Sequence, residues 1–320
     1  MLHNVNQFLI SKGHECRVIL HYYKDDAYIY EGVEVFPATG NINAYMWADV
    51  ILTHLDMTQF TILMAHQAKR PLIHFVHNDI AYSSILNSFG GVSAVYNSNW
   101  IKNKIGYTIP GYVLHPPCNV NDYKVESSKE YITLISLNER KGGYLFYQIA
   151  KAMPDKKFLG VVGSYDNPGP LKMPQMDIIN QLIQLPNFTL VPNTPDILST
   201  YRRTRILLMP SDYESWGRTA TEAMCSGIPV ICTPTEGLRE NCGEAALYVG
   251  KPIEGEPGEA QVDTGKVKDW VRAIRSLDNE ETYQKYSLLS ISQAVKNDPL
   301  KELEGLEEFL YQQVNNYKAR

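Results

Sequence analysis

The stretch PSDYESWGRTATEAMCSGIP, residues 210–229, decides the reading of the chain. It sets Glu214 and Glu222 on either side of a Gly-centred turn, Trp216-Gly217-Arg218-Thr219. An apolar run, Ile206-Leu207-Leu208-Met209, precedes it. That run has the continuous hydrophobicity of a parallel strand covered on both faces. Gly227 and Pro229 close the stretch and lead into another apolar run. A strand, a tight Gly turn and a helix start make an anion site, because backbone N–H groups and the helix dipole converge there. The N–H groups of Gly217, Arg218 and Thr219 are the expected donors. Two carboxylates beside them suit a ligand that carries phosphate to be cradled and sugar hydroxyls that donate hydrogen bonds.

Outward from this stretch, short apolar runs alternate with helical patterns. Strands are expected over 16–20, 50–54, 72–77, 94–98, 112–116, 132–137, 158–163, 188–191, 205–210, 229–233 and 246–249. Helices fit between them over 2–12, 58–69, 143–152, 176–185, 195–203 and 219–226. This alternation predicts an α/β fold with two Rossmann-like, doubly wound domains. The polar, turn-rich segment 116–130, PPCNVNDYKVESSKE, is the expected linker. The domains are therefore placed at 1–120 and 121–297, with a final helix over 298–320 crossing back to the first. The first domain opens on a helix, where a strand is the rule. That absent first strand reads as an N-terminal truncation relative to related chains.

At 320 residues, 44% hydrophobic and 20% charged, the chain has the composition of an ordinary globular protein. A net charge of −5 and a pI near 5.9 argue against nucleic acid as the partner. No apolar run reaches the roughly 18 residues that span a bilayer. The five cysteines are odd in number and scattered, which predicts buried free thiols and a cytoplasmic setting. Lys102 and Lys104 leave peripheral contact with an anionic lipid open. No D-x-D sequence is present, so a metal is not expected.

With these motifs placed, the chain resembles the retaining glycosyltransferases of family 4, which have the GT-B fold of two Rossmann-like domains facing across a cleft. ESWGRTATE, AMCSGIPVI and TPTEGLRENCG match that family's E-x7-E block and the Gly-Leu-x-Glu loop after it. LNERKGGYLFYQIAKAM is similar to its Lys-Gly helix start, and FLGVVGS to its next strand and Gly turn. LISKGHECRVI and LIHFVHN match the first domain more loosely. The resemblance implies transfer of a sugar from a nucleotide-diphosphate sugar, such as a UDP- or GDP-sugar, to an acceptor hydroxyl. Anomeric configuration is retained, and the donor is the only small molecule required. The acceptor is a glycan, a lipid or a small molecule; oligomeric state is left open.

By the same resemblance, Glu222 binds the ribose hydroxyls and Glu214 contacts the transferred sugar or the phosphate network. Lys141, before Gly142, stabilises charge on the leaving diphosphate. The family's partner arginine is missing, and either Arg140 or the neutral donor Asn138 takes its place. Pro192 and Asn193 lie along the base. Gly237 and Leu238 form a second turn, with Glu240 the loop glutamate. His77 stands on the acceptor side, with Asn78, Asp79 and His54 beside it. Competing readings stay open. Thr219-Ala220-Thr221-Glu222 has the form of a capping box, Arg218 and Glu222 form an i,i+4 pair, Lys141 could be a solvated loop lysine, and His77 could be structural. Tyr22, Tyr23, Tyr28 and Tyr30 could stack on sugar or simply pack. A catalytically weak sugar-nucleotide-binding subunit, and an epimerase or hydrolase of the same fold, are the alternative functions.

Overall fold

The computed structural model describes residues 1–20, 26–37, 42–79, 86, 88–106, 108–163, 173–252 and 262–319. Tyr22, Tyr23 and the Ser164 that ends FLGVVGS lie outside them. The chain divides into two compact units. Unit 1 is Met1–Pro117 together with Pro299–Arg320, and unit 2 is Cys118–Asp298.

In unit 1 the order is α1 (Leu2–Ser11), β1 (Arg17–Leu20), β2 (Tyr28–Tyr30), β3 (Val33–Pro37), α2 (Ile42–Trp47), β4 (Ile51–His54), α3 (Thr58–Ala68), β5 (Leu72–Val76), β6 (Val92–Tyr96), α4 (Asn99–Ile105) and β7 (Gly111–Val113). Strands β4-β5-β6-β7 form a parallel sheet in that order. Every residue of β5 and β6 is buried, so both are mostly apolar, and the two polar residues, His74 and Ser93, are hydrogen-bonded to Thr58 and Gln313. Ile73, Phe75 and Val95 pack against Val5 and Leu9 of α1. The same cluster takes Leu303, Leu306, Phe309 and Leu310 from the last helix of the chain, Leu300–Lys318, so that helix belongs to unit 1.

Unit 1 departs from a single doubly wound sheet. β1 does not join β4; it pairs in parallel with β3, and β2 pairs with β3 antiparallel, in a separate three-stranded sheet. The sequence reading missed β2 and β3. β2 is only the three-residue run Tyr28-Ile29-Tyr30, exposed at every position and too short to set a pattern. The turn between them uses Glu31 and Gly32 with φ 46° and 81°, the paired positive values of a tight hairpin turn, without the usual Asn-Gly or Asp-Gly sequence. The strand expected at 94–98 ends earlier, because Ser98 turns the chain and caps α4 through Ile101 N.

Unit 2 contains α5 (Val120–Tyr123), β8 (Tyr131–Ile135), α6 (Gly143–Ala152), β9 (Phe158–Val161), α7 (Met173–Leu182), β10 (Phe188–Val191), α8 (Ile197–Tyr201), β11 (Thr204–Met209), α9 (Arg218–Cys225), β12 (Val230–Cys232), α10 (Glu236–Cys242), β13 (Ala246–Tyr248), α11 (Val267–Ser276) and α12 (Glu280–Lys296); the terminal helix Leu300–Lys318 is α13. α5 lies inside the segment expected to be a linker. Six parallel strands run in the order β10-β9-β8-β11-β12-β13. Numbered within the unit, that is the 3-2-1-4-5-6 order of a dinucleotide-binding sheet. β11 shows why. Ile206 and Leu208 point into one core with Phe146, Phe158 and Trp270, while Leu207 and Met209 point into the other with Ala220, Met224 and Val230. Alternate residues serve opposite faces, so both faces must be covered by helices.

Strand order reverses between β8 and β11, and ligands of such sheets bind outside the carboxyl ends of the strands at that switch point. Two glycines let the backbone close up there. A Cβ on Gly142, whose φ is +81°, would strike Pro210, and one on Gly237 would strike the backbone of Glu214 and Ser215. Gly237→Ala should therefore destabilise the protein by about 1–3 kcal/mol, the usual cost of overpacking a close contact. Urea unfolding measures this, and an unchanged midpoint would show that the contact is slack.

Candidate functional site at the switch point of unit 2

The loop after β8 brings Lys141 to the carboxyl edge of the sheet. Ser136 leaves the strand with φ 73°, a left-handed conformation uncommon for a side chain of this kind and characteristic of functional turns. Asn138 then caps a short 3-10 turn, Glu139–Lys141, accepting from Lys141 N at 2.9 Å and donating to Ser136 Oγ at 3.1 Å. Asn138 thus orients the Lys141 backbone. The loop after β11 brings Glu214 to the same place. Lys141 Nζ lies 2.5 Å from Glu214 Oε1, and Ser211 Oγ donates to the same oxygen at 2.9 Å. Ser211 is fixed in turn by Thr233 of the next loop, whose hydroxyl donates to the Ser211 carbonyl at 2.6 Å. Asp212 N donates to Arg140 O at 3.1 Å and stitches the two loops together.

The Gly turn sits beside this pair. Gly217, at φ +83°, is the N-cap of α9, and no side chain caps that first turn. The capping box expected at Thr219 does not form: the helix starts one residue earlier, and the Thr219 hydroxyl donates to Met209 Sδ instead. The turn is held from behind by Asn241. Its Nδ2 donates to the Trp216 and Gly217 carbonyls at 3.1 and 3.0 Å, and its Oδ1 accepts from Thr221 Oγ1 at 3.0 Å. Leu238 is buried under Gly217, and its N–H is taken by the Thr235 hydroxyl, so it contributes packing.

Glu222 belongs to a separate group. Its Oε2 accepts from Tyr201 OH at 2.8 Å, and its Oε1 lies 2.8 Å from Arg218 Nε as an ion pair whose N–H is not aligned as a hydrogen bond. Arg218 also donates to Tyr123 OH at 2.6 Å. Burial raises the Glu222 carboxyl above its ordinary range, with Arg218 and Tyr201 pulling it back. Burial first, then the adjacent Glu222, pushes the Tyr201 hydroxyl well upward, so it serves as a donor.

The remaining expected residues fall elsewhere. Arg140 is 70% exposed, 3.5 Å from Asp212 and over the ring of Tyr213, rather than joined to Glu214. Asn193 is exposed and donates to Val162 O at 3.2 Å, tying the chain beyond β10 to the chain beyond β9, directly after Pro192. Glu240 is half-buried on α10. His77 lies in unit 1, just past β5, where its ring meets the edge of His54 at 5.4 Å. His74 points inward onto Thr58 Oγ1 at 3.1 Å. Lys104 is paired with Asp79 at 2.5 Å, which occupies both residues. All five cysteines are free, and four are buried. Among the described residues no group of three His, Cys, Asp or Glu side chains is arranged to hold a metal. Nor, among them, is any helix long and apolar enough to cross a membrane. Sequence reading missed Ser211, Asn241, Tyr201 and Tyr123, because each acts through a contact distant in sequence.

A parallel α/β unit with a cation, a carboxylate and an uncapped helix start at its switch point is a Rossmann-like unit whose geometry suits an anionic ligand. The chain belongs to the glycosyl transferases group 1, whose family profile matches residues 123–287. A D-inositol 3-phosphate glycosyltransferase from Corynebacterium kroppenstedtii is 34% identical over 95 residues, 29% of this chain and 18% of that protein. The enzyme of the same description from Rhodococcus jostii is 36% identical over 92 residues, 28% of this chain and 18% of its own length. The matched region thus spans less than a fifth of these curated relatives. Among solved structures, sucrose-phosphate synthase from Thermosynechococcus elongatus superposes with a TM-score of 0.76 at 13% identity, covering 98% of this chain and 92% of that one. HepE from Anabaena, solved with UDP and glucose, gives 0.74 at 14% identity, covering 96% and 95%. At these identities the likeness shows a shared α/β fold.

Two outcomes are expected from this geometry. Asn241→Ala strands two carbonyls and a threonine hydroxyl inside the protein, at about 1–3 kcal/mol for each buried group left unmade. Chemical denaturation should show a loss of about 3 kcal/mol or more for the three groups together, and a loss close to zero would mean that the turn holds itself. His74 and His77 are both lowered from 6.5 to about 4, by burial first and then by His54. The unfolded chain therefore binds more protons between those values, so their contribution to stability is complete above 6.5 and lost as pH falls toward 4. Melting temperatures across that window should fall less steeply in His77→Gln than in wild type; parallel curves would refute the assignment.

Proposed function

We propose that the protein transfers a sugar from a nucleotide-diphosphate sugar to an acceptor hydroxyl, with retention of anomeric configuration and without a metal ion. The observation that carries this reading is the meeting of Lys141 and Glu214 at the switch point, beside the open first turn of α9. Lys141 and the N–H groups of that turn supply positive charge where the leaving diphosphate gains negative charge. Glu214 takes the hydroxyls of the transferred sugar. Glu222 takes the ribose: each carboxylate oxygen has a second acceptor site beyond those used by Tyr201 and Arg218. The leaving phosphate oxygen accepts the acceptor's proton. Acceptor recognition, whether of a glycan, a lipid or a small molecule, is assigned to unit 1, where His77 is kept neutral by burial and can both donate and accept.

One observation favours a second reading, a sugar-nucleotide-binding subunit of low activity. Arg140 turns outward onto Tyr213 and Asp212, leaving Lys141 as the side-chain cation paired with Glu214. Binding without turnover, across an acceptor panel, would select it.

A thermal-shift screen with UDP-, GDP- and ADP-sugars tests the main reading, because a ligand that binds only the folded state raises the melting temperature. Lys141→Ala and Glu222→Ala should each weaken binding of the responding donor about 10–100-fold, the range expected for losing a hydrogen bond to a charged group. Turnover should persist in a chelator. Donor affinity that is the same in both variants as in wild type would rule out this site.

A further inference from the structure

Building on the reading of the donor site above, we propose that the Lys141–Glu214 pair makes the site select an intact sugar nucleotide over the nucleoside diphosphate that transfer leaves behind. Both hydrogen bonds to Glu214, from Lys141 Nζ at 2.5 Å and from Ser211 Oγ at 2.9 Å, end on Oε1. The carboxyl side chain is 8% exposed, so it depends on these partners. Neither bond uses Oε2, which is therefore the oxygen open to a hydroxyl.

A diphosphate at the carboxyl edge of the sheet competes with Glu214 for the Lys141 ammonium, and its charge repels the carboxylate. A buried carboxylate that loses its cation is strongly destabilised. In the intact donor, sugar hydroxyls donate to Glu214 and offset that loss. Transfer removes the offset. The bond from the anomeric carbon to the phosphate oxygen breaks, and its electron pair stays on that oxygen. A new bond forms from the anomeric carbon to the acceptor oxygen, whose proton goes to the released phosphate. The free diphosphate carries no sugar hydroxyls and has gained a terminal ionisable oxygen. Once that oxygen gives its proton to solvent, Glu214 faces more negative charge with fewer donors, and the product leaves. Ser211 sets the strength of this effect, because it is the partner that remains when Lys141 turns to phosphate.

The test is calorimetric titration of UDP, with GDP and ADP in parallel, into wild type, Glu214→Gln, Lys141→Ala and Ser211→Ala, with melting curves as the folding control. Glu214→Gln should bind the diphosphate about tenfold more tightly than wild type, equivalent to roughly 1.4 kcal/mol, while its KM for the sugar nucleotide rises. Lys141→Ala should bind the diphosphate more weakly. Ser211→Ala should also bind it more weakly, and by a larger factor than it loses for the sugar nucleotide; this arm decides the matter if Glu214→Gln does not fold. Diphosphate affinity in Glu214→Gln equal to or below wild type, with Lys141→Ala still weakened, overturns this inference and leaves the donor-site reading standing. Failure of all three diphosphates and of their sugar nucleotides to bind wild type overturns both.

Discussion

The switch-point end of unit 2 rests on a close backbone approach that no side chain would permit. Gly142 meets Pro210, and Gly237 meets the backbone of Glu214 and Ser215. These contacts draw the loops after β8 and β11 and the start of α10 into one packed layer at the point where strand order reverses. Without them Lys141 and Glu214 would sit at the ends of adjacent strands with no fixed separation. With them, a surface lysine and a nearly buried glutamate are held within hydrogen-bond distance.

That layer is braced from below by neutral polar groups. Thr233 holds Ser211, Ser211 holds Glu214, and Asn241 holds the Trp216-Gly217 turn. Each is buried; the Thr233 and Asn241 bonds join residues from different loops, and the Ser211 bond closes the loop after β11 on itself. Fully satisfied buried networks fix geometry because any rearrangement strands a donor or acceptor in a low dielectric. The first turn of α9 keeps no side-chain cap, and both hydrogen bonds to Glu214 fall on Oε1, because the neighbouring groups are already bound.

The two glutamates of the motif therefore have different surroundings. Glu214 has a lysine and a hydroxyl on one oxygen. Glu222 has an arginine on one oxygen and a tyrosine on the other, and burial raises its carboxyl. The first arrangement can exchange its cation with an incoming phosphate. The second is a fixed acceptor whose orientation is set on both sides.

The sequence by itself determined the α/β alternation, because strands buried on both faces must be continuously apolar. β10, from Phe188 to Val191, and α6, from Gly143 to Ala152, match the expected bounds. It also determined the Gly turn and the Arg218–Glu222 pair, since both are local: positive φ selects glycine, and residues four apart on a helix are neighbours. It did not show β2, a run of three exposed residues, or β3, where Glu34 separates the buried Val33 and Val35, nor that β1 pairs with β3 rather than β4. Tertiary structure alone decided the partner of Lys141, the outward course of Arg140, the burial of Leu238 and the roles of Ser211, Tyr201 and Asn241. These depend on which strand ends lie side by side. The physical reason is that strand order in a parallel sheet is set by long crossovers and core packing, which a periodic pattern of apolar residues does not encode.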